Sequence, residues 1–131
     1  MNPNIKKLYS IVGKKKRRII GLMSGTSLDG LDIALCSVEG SGRSTKIKLE
    51  QFETKPYNDH FRKQVKRVFA KKNIDFEHLC LLNEWIATEH AALVNSCLKE
   101  WKVTYNEVDL LASHGQTVYH APKHQHKKEG F

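Results

Sequence analysis

Cysteine is scarce in this chain, and the three present, Cys36, Cys80 and Cys97, are odd in number and far apart. With no Cys-x-x-Cys pair they exclude a disulfide framework and a thiolate metal or redox motif. Embedded in apolar strings, they read as small buried hydrophobes in a reducing compartment. Long hydrophobic runs are also missing. Nothing approaches the roughly 18 apolar residues of a membrane span, and no apolar stretch of signal-peptide length follows a basic start. The expectation is a soluble, cytoplasmic protein without a membrane partner.

Acid is absent from residues 1–18, which hold Lys6, Lys7, Lys14, Lys15, Lys16, Arg17 and Arg18 and so carry seven of the eight net positive charges. The remaining residues, 19–131, balance 15 bases against 14 acids. A neutral body with a basic end does not present the spread positive field of a nucleic-acid-binding domain, and no nucleic-acid partner is expected. Ile5, Leu8, Ile11 and Val12 fall on one helical face, so residues 1–18 read as a solvated, partly helical extension. A basic adaptor that docks through this tail is the alternative from another functional class.

What is present is ordinary globular composition, 40% hydrophobic and 27% charged, enough for one domain with its own core. "RRIIGLM" and "LDIALCSV" are short β-rich runs, and "TKIKLEQFET" sets Ile47, Leu49 and Phe52 among polar residues as a third strand. Short loops between them predict an antiparallel meander. The period then changes. Phe61, Val65, Val68 and Phe69 predict a helix over 59–71 with Asp59 as N-cap, and Leu79, Leu82, Ile86, Leu93 and Cys97 predict a longer one over 76–101 that starts after Asp75. "VDLLAS" is a further strand. The order β-β-β-α-α-β is the opening order of a ribonuclease-H-like half-domain, an α/β fold class, in which the turn after the first strand and the end of the fourth strand approach one another.

Those two places carry the chemistry. "GLMSGTSLDGLD", residues 21–32, gathers Ser24, Thr26 and Ser27 as hydroxyl donors with Gly25 and Gly30, where the backbone can approach a ligand. Asp29 and Asp32 are able to orient water or hydrated Mg²⁺. It is neither a Walker loop nor a dinucleotide fingerprint, and by composition alone an ordinary polar hairpin accounts for it equally well. "SHGQT" sets His114, Gly115, Gln116 and Thr117 directly after a buried strand, with groups that donate to or accept from sugar hydroxyls; a strand-terminal turn with a satisfied histidine is the plainer reading. His114, His120, His124 and His126 lack interleaved Cys or acid at ligand spacing, so no metal site is assigned to them. Trp85 and Trp101 read as helix packing.

Together, "GLMSGTSLDGLD" and, after two helices, "ASHGQTVYHAP" resemble the bacterial anhydro-N-acetylmuramic acid kinases of the sugar kinase, Hsp70 and actin superfamily. The resemblance runs from about Arg18 to the end of the chain. It implies an ATP- and Mg²⁺-dependent enzyme of cell-wall recycling and amino-sugar catabolism. Such an enzyme opens 1,6-anhydro-N-acetylmuramic acid with water and phosphorylates the freed O6 to give N-acetylmuramic acid 6-phosphate. Position by position it assigns Gly25, Thr26, Ser27, Leu28, Asp29, Gly30, Leu31 and Asp32 to the ATP-phosphate loop and His114, Gly115, Gln116 and Thr117 to the sugar side. It also implies two lobes, a homodimer for the full-length protein, and a general-base aspartate in a segment beyond Phe131. No catalytic residue is therefore assigned within residues 1–131. The expectation is the N-terminal part of a kinase domain, spanning 19–131 without the second lobe, inactive by itself and with an exposed apolar face. A levoglucosan-type anhydro-sugar kinase remains the nearer alternative, since no group for the lactyl ether or N-acetyl arm is identifiable.

Overall fold

A computed structural model describes residues 2–130. The chain runs α1 (Pro3–Val12), β1 (Lys16–Ser24), β2 (Gly30–Glu39), β3 (Lys46–Pro56), α2 (Asp59–Lys66), α3 (Phe76–Glu100), β4 (Leu110–Gln116) and the short α4 (Lys123–His126), with one-turn 3-10 helices at Gly42–Ser44 and Tyr105–Glu107. The four strands form one sheet in the order β3-β2-β1-β4. β1, β2 and β3 are an antiparallel meander, and β4 joins β1 in parallel after the helical crossover. This mixed α/β half-domain, with two helices inserted before a parallel fourth strand, has the order read from the sequence.

The core lies between one sheet face and the two larger helices. Ile20 and Leu22 of β1 and Leu31, Ile33 and Leu35 of β2 meet Phe61 and Val65 of α2 and Leu82, Ile86, Val94, Cys97 and Leu98 of α3. Trp85 and Trp101 are partly buried against this cluster, as packing residues. Asp75 caps α3, accepting from the His78 N–H at 3.1 Å. For α2 the cap is Asn58, which accepts from the Phe61 N–H at 2.8 Å. Asp59 instead lies in the first turn and pairs with Arg62 at 2.7 Å. That helix also stops at Lys66, short of residue 71. Ala70 takes a left-handed φ of 56° and donates its N–H to Val118 O at 2.7 Å, so Val68 and Phe69 reach the core from a turn and not from a helix.

The apolar residues of β3 do not face the core. Ile47, Leu49 and Phe52 are 68%, 57% and 56% exposed, opposite Val38, Cys36 and Ala34 on the sheet face away from the helices. Leu49 and Phe52 are an odd number of positions apart and share a face only because the pairing slips between Leu35 and Cys36, leaving Glu50 as an extra residue. Such a bulge resets the alternation. Glu50 turns to Arg18, accepting from its Nε at 2.9 Å. The cysteines divide as well: Cys97 is buried, Cys36 intermediate and Cys80 exposed, so Cys80 is not the core residue expected.

The basic end is partly tied down. Lys14 pairs with Asp109, Arg17 donates to Gly40 O at 2.7 Å, and Arg18 reaches Glu50 and Glu107 at 2.7 and 3.2 Å. Asp109 also accepts from the Arg18 N–H at 2.9 Å, which fixes the start of β4 beside β1. No helix among the described residues is long and apolar enough to cross a membrane.

Candidate functional site

The β1–β2 loop departs from the sheet at Ser24 and returns at Gly30, with Ser24 still paired with Leu31. Leu28 takes a left-handed φ of 58° and is only 2% exposed. That backbone costs a leucine about 1–2 kcal/mol, a cost that burying the side chain in the core offsets. With Leu28 and Leu31 buried, the loop turns Thr26, Ser27 and Asp29 outward. Gly30 sits so close to β3 that a Cβ there would lie 2.4 Å from Lys55 O. Of the two loop acids, Asp29 is exposed, while Asp32 is half-buried and accepts from the Thr54 hydroxyl at 2.6 Å.

The second loop meets the first at Ser24. Along the parallel β1–β4 pair, Leu22 faces Ser113 but Ser24 faces Gln116, so β4 carries one extra residue there. Gly115 absorbs the irregularity with φ +74°, a conformation glycine adopts freely. The bulge aims His114 at the end of β1, where its Nε2 accepts from the Ser24 N–H at 3.2 Å. Gln116 Oε1 accepts from the Ser24 hydroxyl, and its Nε2 donates to Thr117 O at 3.1 Å. His114 is exposed, and Gln116 and Thr117 are half-buried.

Two residues not singled out from the sequence complete this junction. Tyr57 Oη lies 2.7 Å from Ser24 Oγ and 2.8 Å from His90 Nε2, and all three residues are buried. The Tyr57 ring stacks on Phe61 with centroids 3.8 Å apart. Burial raises the Tyr57 pKa above its ordinary 10, opposed by the Ser24 hydrogen bond. Burial, and next the proximity of His114, hold the His90 pKa below 6.5, favouring the neutral ring. The available signal was a histidine at a core position of the α3 stripe, in step with Leu82, Ile86 and Val94.

Beside this junction, a groove of about 400 Å³ runs between α3 and β4, lined by Leu82, Ile86 and His90 on one side and Leu111, Ser113 and Gln116 on the other. Its mostly carbon lining suits an apolar group better than a polyhydroxylated ring.

The mixed four-stranded sheet with its helical crossover is compatible with a truncated half-domain of the actin-like ATPase type. The sequence model of the family described as anhydro-N-acetylmuramic acid kinase matches residues 17–129, and the chain belongs to that family. Relatives bearing that name include those of Pseudoalteromonas atlantica and Pseudoalteromonas translucida, each 48% identical over 131 residues, which is 100% of this chain and 33% of the relative. One from Bacillus cereus is 40% identical over 105 residues, 80% of this chain and 27% of the relative. The chain thus spans about a third of the length of these curated relatives. The Pseudoalteromonas alignments include the basic N-terminal residues, so the likeness extends beyond Arg18.

Proposed function

We propose that this chain supplies the phosphate loop and one sugar-facing loop of an ATP-dependent kinase that hydrolyses and phosphorylates 1,6-anhydro-N-acetylmuramic acid to N-acetylmuramic acid 6-phosphate. The observation that supports the reading is the meeting of the two loops at Ser24, where His114 and Gln116 at the end of a parallel strand hydrogen-bond to the residue that opens the donor-rich turn. Thr26 and Ser27 face solvent with unburied hydroxyls, which suits the oxygens of a triphosphate. Asp29 is free to orient a hydrated Mg²⁺, an ion held by one or two carboxylates and the phosphates and not by a protein cage.

On the sugar side, His114 and Thr117 offer hydrogen bonds to ring oxygens. Phosphoryl transfer depends on positioning and electrostatic stabilisation of a nucleotide held from both sides. The base that activates water belongs, by the resemblance, to the part of the relatives that this chain does not span. Residues 1–131 should therefore bind without turning over. Adding ATP with Mg²⁺ to the ¹⁵N-labelled chain is expected to move the amide signals of residues 25–32, and the anhydro sugar those of 114–117, with no phosphorylated sugar by mass spectrometry. Turnover by the chain alone, or shifts confined to residues 1–18, contradicts this reading. Levoglucosan in the same titration tests sugar specificity.

A further inference from the structure

We propose that Tyr57 and His90 are positioning residues of the junction between the two loops. They maintain a one-way hydrogen-bond chain, His90 to Tyr57 to Ser24 to Gln116, that joins the two loops and turns the Ser24 hydroxyl away from any ligand. The proposal deepens the reading given above, but its test needs no ligand, so either can fail without the other.

The direction follows from counting protons. Gln116 Nε2 donates to Thr117 O at 3.1 Å, so its Oε1 faces Ser24 and only accepts. The single Ser24 hydroxyl proton is therefore committed to Gln116. The 2.7 Å contact between Ser24 Oγ and Tyr57 Oη then takes its proton from Tyr57. With that proton used, the 2.8 Å contact between Tyr57 Oη and His90 takes its proton from His90 Nε2. Any other arrangement sets two lone pairs, or two carbonyl-type oxygens, against each other at hydrogen-bond distance in a buried site. His90 is thus the Nε2–H tautomer. His114 is the opposite one, because its Nε2 accepts from the Ser24 N–H and its proton sits on Nδ1.

The chain does structural work where the sheet cannot. Backbone pairing between β1 and β4 slips just before Ser24 and Gln116, and the Ser24–Gln116 bond bridges that slip. Tyr57, at the entry to α2, and His90, on α3, carry the anchor into the helical layer. One consequence concerns recognition. Ser24, although it belongs to the hydroxyl-rich motif, has no proton left for a phosphate oxygen, and the side-chain hydroxyl donors of that loop reduce to Thr26 and Ser27.

Long-range ¹H–¹⁵N spectra of the labelled chain read the imidazole tautomers directly. The expected result is Nε2–H for His90 and Nδ1–H for His114. Tyr57→Phe preserves the ring stack and removes both bonds, so the slowly exchanging His90 Nε2 proton is lost and the Gln116 side-chain amide signals move. Ser24→Ala removes the acceptor of the Tyr57 proton as well as the donor to Gln116, so the Gln116 signals move and the Tyr57 hydroxyl, left with His90 as its partner, turns to donate to Nε2 and releases His90 from the Nε2–H tautomer. A His90 proton on Nδ1 in the unsubstituted chain, or Gln116 amide signals that stay in place in Tyr57→Phe, overturns the proposal.

Discussion

Two glycines in neighbouring strands should respond in opposite ways to the same added methyl group. At Gly30 a Cβ meets Lys55 O at 2.4 Å, Lys55 C at 3.0 Å and Pro56 Cα at 3.1 Å, whereas ordinary contact begins at 3.4 Å. The obstruction is the backbone of the paired strand, a full ångström too near, and no side chain is there to swing aside. Relief requires β2 and β3 to separate just where the loop ends. Overpacking of this kind costs about 1–3 kcal/mol, and at roughly 3–5 °C per kcal/mol for a chain of this size the melting temperature should fall by about 3–15 °C. Gly21, paired with Ala34 one strand over, has nothing within 4 Å of its Cβ position. There the lower backbone entropy of alanine should leave stability unchanged or raise it by about 0.5 kcal/mol. Urea denaturation of Gly30→Ala and Gly21→Ala, followed by circular dichroism, measures both. If Gly30→Ala lies within about 0.5 kcal/mol of the parent, or Gly21→Ala loses as much as Gly30→Ala, the tight β2–β3 approach beneath the loop is refuted.

Phe61, 1% exposed and stacked on Tyr57, should cost about 3–5 kcal/mol when replaced by alanine, a large share of the total stability of a small domain, measurable in the same urea series. Because the folded chain holds the His90 pKa below the ordinary 6.5, the unfolded chain binds the extra proton first as pH falls. Stability should therefore drop on acidification through the region just below 6.5, and His90→Gln should flatten that slope; parallel slopes in the two proteins would exclude the buried neutral histidine. Burial pushes the Cys97 thiol up to about 11, partly opposed by Lys55, so iodoacetamide at neutral pH should label exposed Cys80 and spare Cys97 until urea unfolds the chain. Equal labelling of both in the native state would argue against the α3 packing.

Much of the fold was legible because the chain's periodicities are clean. Period-2 runs built the meander, and the stripe through Leu82 and Ile86 marked α3 together with its Asp75 cap. Where the reading went astray, longer-range geometry intervened. Val68 and Phe69 matched helical spacing yet lie in a turn, because a hydrogen bond from Ala70 to Val118, remote in sequence, stops the helix. Ile47, Leu49 and Phe52 marked a strand correctly, but a bulge at Glu50 set them on the face away from the helices, and no local pattern announces that face. The two site loops were conspicuous through their hydroxyls, glycines and amides. Tyr57 and His90 were not, because one buried tyrosine and one histidine in an apolar stripe acquire meaning only when three elements converge on Ser24.

We propose above that these residues supply one third of an anhydro-sugar kinase. That proposal is tested most directly by substituting residues 1–131 for the matching third of the Pseudoalteromonas atlantica relative and following ATP-dependent conversion of 1,6-anhydro-N-acetylmuramic acid to N-acetylmuramic acid 6-phosphate. The account predicts turnover comparable to the parent enzyme, with Thr26→Ala in the chimera slowing it and leaving the fold intact. A folded chimera that binds neither ATP nor the sugar and forms no product, beside an active parent, would contradict it.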